Sequence, residues 1–368
     1  MHRSVTRVGV AALALGLACD HTAPFGPGQY EPRGPYTHSA PMRLTFNLGQ
    51  DLAPAWMPAG SEVLYTVERL DDSTRSRCLA RLPGGGGARL ATLCDPDPLA
   101  ADSTIVYEAA APARDGRLAF VRGASLFRFD RAPSTRYLAL ATVSDPERFR
   151  VLARFLFRSP AGQLEENAAD IGWVDDSTIV YLAEAWQPPP GELPEGDTLI
   201  YGLEIGLVDL RGGGAALSIV PGTQWASSVA VGDTAGVIYY TLGGDSRVFR
   251  RSLATGDVSV LFDFGSAGIA RDVQVRDGRL VAVVGGQVSF AFDSTRDQFV
   301  QSDEGGVLHV VELGTGTDVA TPLSDNFYRH PALDAAGHVV VEGYAFTVDD
   351  LGDTTRTTVA DLWRFDVP

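Results

Sequence analysis

The sequence predicts an all-β fold built from repeated units, and three observations lead to this prediction. Forty glycines and 22 prolines are spread over 368 residues, as in proteins whose many short strands are joined by frequent turns. Val, Thr and Tyr recur in short runs whose apolar residues alternate or are continuous, which fits strands rather than the 3.6-residue period of a helix. One phrase also returns along the chain: a polar or Pro-containing turn followed by a β-rich run. With 45% apolar residues, such units can bury a sizeable core.

The repeated phrase has six copies. They are "PAWMPAGSEVLY" (54–65), "PARDGRLAFV" (112–121), "IGWVDDSTIVY" (171–181), "AVGDTAGVIYY" (230–240), "DVQVRDGRLVAVV" (272–284) and "PALDAAGHVVV" (331–341). In five copies the turn ends in glycine, which is suited to the left-handed conformation that hairpin turns often need. In the third copy Asp175-Asp176-Ser177 stands at the turn, and these residue types also form turns.

The copies are followed by further short strands, so that one unit has about four strands and roughly forty to sixty residues. Four strands at such a period are typical of a β-propeller blade, and six copies predict a six-bladed propeller. A seventh blade stays open, because residues 145–162 ("DPERFRVLARFLFRSPAG") belong to none of the six units. Within that stretch we favour a strand or blade insertion over a basic amphipathic helix.

The two ends of the chain indicate how the ring closes. The last unit, from residue 338 onward, lacks an outermost strand, whereas "PMRLTFNLGQD" (41–51) supplies a strand without a unit. Propellers commonly pair their N-terminal strand into the last blade. We therefore expect residues 42–47 to be the outer strand of the last blade, with Met42, Leu44 and Phe46 buried on a shared face.

The first copy of the phrase carries a family resemblance. Pro54-Ala55-Trp56-Met57-Pro58-Ala59-Gly60 resembles the repeat of TolB-type, WD-like propellers, whose phrase runs Pro-Ala-Trp-Ser-Pro-Asp-Gly, and matches it at five of seven positions. Residues 41–368 share the repeat pattern, although the later copies are degenerate. The resemblance implies a propeller fold.

The first eighteen residues read as an export signal. Arg3 and Arg7 precede the apolar run "VGVAALALGLA", which is too short for a permanent membrane span and ends at Cys19. The segment resembles a bacterial lipoprotein signal, in which the cysteine is lipidated and becomes residue one; ordinary cleavage with an incidental Cys19 is the alternative. We expect a signal peptide (1–18), a Pro/Gly-rich tether (19–40) and a propeller (41–368), anchored by lipid to a bacterial membrane and facing the periplasm or exterior.

If Cys19 carries the lipid, two cysteines remain, and an exported protein lies in an oxidising compartment where such a pair can form a disulfide. Cys78 and Cys94 flank "LARLPGGGGARLATL", which reads as strand, glycine turn and strand. A hairpin folded about Gly85–Gly87 would set them opposite each other, so a cross-strand disulfide is expected, with two buried free thiols as the alternative.

The charge balance limits the partners. The formal net charge is −16, and every basic residue is arginine. An acidic body argues against a nucleic-acid partner, and the lack of lysine excludes Schiff-base catalysis and a Walker-type phosphate loop.

No catalytic signature is found in the sequence. The Gly-x-Ser-x-Gly elbow, the His-Glu-x-x-His pair and the Cys-x-x-Cys motif are all missing, so no metal or cofactor is expected. His330 and His338 are close in sequence, but their spacing crosses a turn. Polar residues expected where inner strands begin, at the mouth of a central channel, are the candidate binding residues: Asp51, Asp170, Arg271, Asp272, Arg329 and His330.

Two functional hypotheses follow. The leading one is a non-catalytic, monomeric envelope lipoprotein whose propeller binds a protein or another envelope component through its faces and channel. The alternative is a propeller enzyme, a lactonase- or peptidase-like hydrolase with its site at the channel mouth.

Overall fold

The computed structural model describes twelve stretches of the chain: residues 42–46, 49–68, 77–93, 103–126, 134–157, 170–186, 201–285, 288–293, 298–303, 306–318, 327–348 and 354–367. Within them the backbone forms 26 strands and two short 3₁₀ turns, at Arg211–Gly213 and Gly265–Ala267. In these stretches no helix has the length and apolar character that a membrane crossing requires. The signal peptide, Cys19 and the tether lie outside the described residues, so they stay predictions.

The strands form six blades around a central axis. Strand β1 (Met42–Arg43) belongs to the last blade. Blade 1 contains β2 (Asp51–Trp56), β3 (Glu62–Glu68), β4 (Arg77–Pro83) and β5 (Ala91–Leu93). Blade 2 contains β6 (Ser103–Pro112), β7 (Arg117–Leu126), β8 (Ser134–Thr142) and β9 (Asp145–Phe157). Blade 3 contains β10 (Ile171–Trp173), β11 (Thr178–Trp186), β12 (Tyr201–Asp209) and β13 (Ala216–Ile219).

The remaining three blades follow the same antiparallel pattern. Blade 4 contains β14 (Ala226–Val231), β15 (Val237–Leu242), β16 (Arg247–Ser252) and β17 (Val258–Asp263). Blade 5 contains β18 (Ala270–Arg276), β19 (Arg279–Val284), β22 (Val307–Glu312) and β23 (Thr317–Asp318), with a hairpin of β20 (Val288–Asp293) and β21 (Gln298–Asp303) inserted between β19 and β22. Blade 6 contains β24 (Phe327–Leu333), β25 (His338–Val348) and β26 (Thr354–Asp366), completed by β1.

The repeated phrase forms the inner hairpin of every blade. Each copy contains all or the last part of the first strand of a blade, a tight turn, and part or all of the second strand. The five turn glycines adopt positive φ values between 71° and 89°, which confirms the left-handed conformation expected of them: Gly60, Gly116, Gly236, Gly278 and Gly337. In the third copy the Asp175 carboxylate closes the turn, accepting the Ser177 N–H at 2.7 Å.

The ring closes as the sequence predicts, through the N-terminal strand. Met42 pairs with Arg364 and Arg43 with Trp363, antiparallel to β26. The contact continues beyond the strand: Leu44 N–H donates to the Leu362 carbonyl at 2.7 Å. We call residues 42–45 and β26 the rim seam.

Further bonds and one buried side chain complete the rim seam. Leu362 N–H donates to Thr45 Oγ1 at 2.9 Å, and Arg43 forms an ion pair with Asp361 at 2.6 Å. Leu44 is buried as expected, but Met42 and Phe46 are exposed, so the prediction of three buried side chains is wrong for those two. Only two residues of the segment pair in the β ladder, and its strand geometry ends before it can present an alternating face.

The stretch 145–157 is the outer strand of blade 2 and not a seventh blade. Strand β9 pairs with β8 along most of its length, with two irregularities in register. This confirms the strand interpretation of "RFRVLARFLF" and settles the blade number at six.

Among the described residues the hydrophobic core has one large cluster at each of the six junctions between neighbouring blades, and a small seventh one, Leu52 with Ala360, lies at the junction of blades 6 and 1. Leu64 and Leu79 of blade 1, for example, pack with Phe120 of blade 2, and Val281 of blade 5 packs with Tyr328 of blade 6. The apolar runs of the phrases are therefore buried between blades on both faces, which explains why they are continuous rather than alternating.

The hairpin that carries Cys78 has the predicted form. Strands β4 and β5 pair antiparallel, with Leu79 opposite Leu93. Cys78, next to Leu79 in β4, is buried. Cys94 itself lies outside the described residues, so the disulfide stays a prediction.

Candidate functional site

The six inner strands surround a central channel. It has a volume of about 410 Å³ and is lined by residues from every blade. Much of the lining is small, because the inner strands present alanine at several positions: Ala53, Ala55, Ala109, Ala111, Ala230 and Ala332. Since these side chains leave the axis open, the charged residues at its wall decide what the channel can hold.

The inner strands of five blades are irregular near the point where they begin. A register shift interrupts the pairing of β2, β6, β14, β18 and β24 with their neighbours. At three of these bulges a residue other than glycine has a positive φ: Ala53 (48°), Asp272 (32°) and His330 (46°). Such conformations are costly and persist only where the surroundings hold them in place.

Hydrogen bonds between neighbouring blades hold the bulges. At four junctions a side chain accepts a backbone N–H from the next blade, and we call this ring of contacts the channel belt. Its bonds are Val229 N–H to Asp170 Oδ2 (2.9 Å), Val273 N–H to Ser228 Oγ (3.0 Å), His330 N–H to Asp272 Oδ2 (3.1 Å), and Ala53 N–H to Glu342 Oε1.

Proline explains why the donor differs between the junctions. At two junctions a residue just after the bulge donates: Val273 directly follows Asp272, and Val229 lies two residues after Ser227. In blades 6 and 1 the corresponding positions are Pro331 and Pro54, which have no N–H. The bulge residues His330 and Ala53 donate instead, and both have a left-handed backbone.

Cations accompany the belt carboxylates of blades 5 and 6. His330 Nδ1 lies 2.7 Å from Glu342 Oε1, and Arg329 Nε lies 4.0 Å from Asp272 Oδ2. Burial alone would lower the pKa of His330, but the charges of Glu342 and Asp272 outweigh it and raise that pKa to about 9. Although burial opposes ionisation of Glu342, the charges of His330 and Arg329 hold its pKa below the usual range. His330 is therefore protonated, and Glu342 ionised, at neutral pH.

Asp170, in blade 3, has a different environment. Burial is the main cause that raises its pKa, and the charge of Asp272 adds to it, so that the pKa is about 7. The attraction of His330 and Arg329 and the bond from Val229 N–H offset only part of this. By contrast, His330, Arg329 and Arg271 overcome the effect of burial on Asp272 and lower its pKa. One channel carboxyl group thus stays ionised while another titrates near neutral pH.

The structure brings four of the six sequence-predicted candidates together: Asp170, Asp272, Arg329 and His330. Arg271 adds its charge to the environment of Asp272. Asp51 is fully buried at the start of β2 and lies outside the set of residues that lines the channel. The sequence analysis did not find Glu342. The feature that could have indicated it is a single acidic residue directly after the run "HVVV" in the second strand of blade 6.

The other end of the channel, where the inner hairpins turn, is ringed by charged side chains with simpler pairings. Arg117 forms an ion pair with Asp115 at 2.6 Å, and Arg276 lies 3.7 Å from Asp233. Beside this ring, two tryptophans link blades through indole N–H groups: Trp173 donates to the Ala111 carbonyl at 2.9 Å and Trp56 to the Ala332 carbonyl at 3.1 Å. The tryptophan of the first phrase therefore joins blade 1 to blade 6.

The stretches that the structure describes contain no group of three or more His, Cys, Asp or Glu side chains arranged to hold a metal ion. His338 bonds the turn residue Asp334 through Nδ1 at 2.7 Å, while His330 bonds Glu342. Each of the two histidines thus serves its own local structure, and they do not form a joint site.

Solved structures with the same architecture are numerous. TolB from Acinetobacter baumannii matches with a TM-score of 0.50 and 13% identity, over 83% of this chain and 67% of that chain. A gluconolactonase from Xanthomonas campestris matches with a TM-score of 0.50 and 14% identity, over 92% and 98%. A puromycin hydrolase matches with a TM-score of 0.45 and 13% identity, over 83% of this chain and about half (53%) of its own.

Sequence comparisons give no narrower assignment. No family model matches the chain, and no curated protein sequence matches it. At 13–14% identity the structural likeness concerns the backbone architecture alone, which TolB and a gluconolactonase share. The fold of this protein is a TolB-like, six-bladed β-propeller.

Proposed function

We propose that this protein is a non-catalytic, monomeric lipoprotein of the bacterial cell envelope that binds a protein or another envelope component through its propeller faces and central channel. The proposal combines the export signal expected at residues 1–18 with the channel geometry. A propeller without a catalytic centre acts through the loops at its faces and the groups at its axis.

One observation carries the proposal: the ionisable groups at the channel mouth are used to join blades. Asp272 and Glu342 each accept a backbone N–H from the next blade. His330 is paired with Glu342 and protonated at neutral pH, so it is not available as a general base. These groups favour a rigid binding channel over a site in which protons move.

Site-specific photo-crosslinking tests the binding interface. A photoreactive residue at Ala235, which is exposed at the turn end of the channel, is compared with one at Leu217, which is exposed on the outer strand of blade 3. Both variants are expressed in cells with the full chain, and the envelope is irradiated before extraction. We expect a discrete adduct at Ala235 that is missing at Leu217. An adduct at Leu217 alone would place the interface on the rim and contradict the proposal.

Cell fractionation tests the lipid anchor independently. Cys19→Ser removes the thiol that would carry the lipid, so the variant is expected to leave the membrane fraction. If the Cys19→Ser protein stays in the membrane fraction as the parent does, the lipid anchor is wrong.

A hydrolase at the channel mouth is the second candidate, and the Asp170 carboxyl group favours it. A pKa of about 7 is suited to a general base at neutral pH. To test this alternative, lactones and peptide-derived esters are incubated with the purified protein and with Asp170→Asn, and their hydrolysis is measured. Turnover by the parent that the variant lacks would replace the binding proposal with the enzymatic one.

A further inference from the structure

The charges along the channel wall are unevenly paired. Six aspartates line it: Asp115, Asp170, Asp175, Asp176, Asp233 and Asp272. The cations near them are mostly engaged by carboxylates: Arg117 by Asp115, Arg276 by Asp233, His330 by Glu342 and Arg329 by Asp272. Asp170 forms no ion pair with any residue that the structure describes. The wall thus carries an excess of carboxylates, in a protein whose formal net charge is −16.

One oxygen of Asp170 is occupied and the other is available. Oδ2 accepts the Val229 N–H at 2.9 Å, which fixes the carboxyl group at the channel wall. Among the described residues no donor reaches Oδ1. The charged groups that act on Asp170 are Asp272, His330 and Arg329, and the two cations lie closer to other carboxylates. A positive charge from outside could therefore use Oδ1 without displacing a partner.

We propose that the channel binds a primary ammonium group carried on a slender chain, with Asp170 Oδ1 as its counter-ion. The inference rests on the proposed function, in which the channel is the binding site, and it specifies the chemistry that the channel recognises. An ammonium group would give Asp170 an ion pair and would replace water around a partly buried carboxylate. Asp175 and Asp176, which also form no ion pair with a described residue, lie at the turn end of the channel.

The single available oxygen favours ammonium over guanidinium. A guanidinium group binds carboxylates best through two parallel bonds to both oxygens, whereas an ammonium group is a compact point charge that needs only one acceptor. Since Oδ2 already accepts the Val229 N–H, a bidentate guanidinium group would have to share that oxygen, whereas an ammonium group would not. An anion would meet the charges of Asp170 and Asp272.

The volume of the channel limits the size of the group that can carry the ammonium. About 410 Å³ lies at the lower end of the roughly 300–1,000 Å³ of small-molecule sites. This volume takes an alkyl chain or one extended side chain, but not a folded domain. Alanines along the inner strands would contact the methylene groups. A free alkylamine and a lysine side chain of a partner protein share this chemistry.

Titration of the purified propeller with n-butylammonium, followed by NMR or calorimetry, tests the proposal. Asp170→Asn keeps the shape and the acceptor for Val229 N–H but removes the charge, and we expect it to weaken binding at least tenfold at pH 8. Asp257→Asn, an exposed change on the outer turn of blade 4, is the matched control and should bind like the parent. Butylguanidinium and neutral butyramide should bind more weakly than butylammonium.

The pH profile of the parent protein gives a second readout that does not depend on any variant folding. The ligand stays protonated throughout, so its affinity follows the ionisation of Asp170. Affinity should be constant above pH 7 and should fall about tenfold for each pH unit below it. A flat profile, equal binding of butyramide, or full affinity in Asp170→Asn would each overturn the proposal.

Two further ligands identify the source of the ammonium group. Tighter binding of a capped Gly-Lys-Gly peptide than of butylammonium would support a lysine of a partner protein, and tighter binding of the diamine cadaverine would support a free amine. The titration uses purified protein alone, so its failure is distinguishable from failure of the crosslinking experiment. Loss of the crosslink with intact amine binding would reject the protein partner and keep the ammonium site.

Discussion

Asp170 and Glu342, on opposite sides of the ring, each join two neighbouring blades. Each accepts one backbone N–H from the next blade, Asp170 from blade 4 and Glu342 from blade 1. Glu342 has His330 at 2.7 Å, and its pKa is lowered, whereas the pKa of Asp170 is raised to about 7 because no ion pair offsets its burial. The comparison shows that one hydrogen bond is enough to position a buried carboxylate, but a cation is needed to keep it charged. The side that lacks a cation is the side open to a ligand.

The largest loss of stability is expected from removing the N-terminal part of the rim seam. This change leaves Asp170 and Glu342 in place, so it gives a reference against which their effects can be compared. Deleting residues 20–40 should change little, whereas deleting 20–49 removes β1, the burial of Leu44 and the Thr45 bond, and leaves Asp361 without Arg43. Together these contacts stabilise the fold by about 5 kcal/mol, or roughly 10 °C in unfolding midpoint. Equal thermal midpoints for the two truncations would contradict ring closure by the N-terminal strand.

Asp170→Asn should stabilise the protein at high pH. Because the folded-state pKa lies above the ordinary 3.8, ionised Asp170 opposes folding, and this penalty grows as the pH rises from about 4 to above 7. The variant should be up to about 4 kcal/mol more stable than the parent at pH 8, and equal to it near pH 4. Urea unfolding at the two pH values measures the difference. A variant that is less stable than the parent at pH 8 would mean that Asp170 has a counter-ion in the fold.

Glu342→Gln, chemically the same change, should have the opposite sign. The amide can still accept the Ala53 N–H, but protonated His330 is left without its counter-ion, at a cost of about 3 kcal/mol. The pKa of His330 is raised from 6.5 to about 9 and that of Glu342 is lowered from 4.5, so the loss should be largest between about pH 5 and 6.5, should decline as the pH rises from 6.5 through 9, and should also shrink at acid pH as Glu342 is protonated.

The control for this prediction is Glu312→Gln, an exposed change at the end of β22, which should be nearly neutral. NMR titration should also show the pKa of His330 falling in Glu342→Gln. If that pKa stays near 9, Glu342 is not the group that keeps His330 charged.

The smallest effect is expected for an uncharged link between blades. Trp56→Phe keeps most of the ring packing but loses the indole N–H bond to the Ala332 carbonyl, for a loss of about 1 kcal/mol at every pH. Trp173→Phe should behave alike, and Trp225→Phe, at an exposed tryptophan, should be neutral. If the loss of stability in Trp56→Phe depended on pH, the indole hydrogen bond would be coupled to the ionisation of the channel carboxylates.

Local patterns were enough to predict the blades. The turn glycines were read from the sequence because only a few residue types favour a left-handed turn, and all five adopt it. Ring closure was also readable, since the last unit was one strand short and residues 42–45 had no unit of their own. The exposure of Met42 and Phe46 was not, because it depends on where the ladder ends and not on the alternation of residues.

The channel was harder to predict, because it is built from contacts between blades. Asp170, Asp272, Arg329 and His330 were found by their place at the starts of inner strands, but their partners lie dozens of residues away along the chain. Glu342 is on a second strand, and its role follows from a bulge in blade 1 that no local pattern marks. The burial of Asp51 also depends on contacts between blades. Asp51 therefore lies at the start of its strand, as predicted, but is buried and does not line the channel.

The pairing of β1 with β26 also has a consequence for the order of the blades. Met42 lies opposite Arg364, so the start of β1 and the end of β26 are neighbours in one antiparallel sheet. A short hairpin loop could join them, and new ends could then be opened in a surface loop between other blades, such as that between β13 and β14. In a circular permutant of this kind every blade keeps both neighbours and the channel wall is unchanged. Topologically the ring has no first blade, and the break inside blade 6, between β26 and β1, is only one of the places at which the chain could begin.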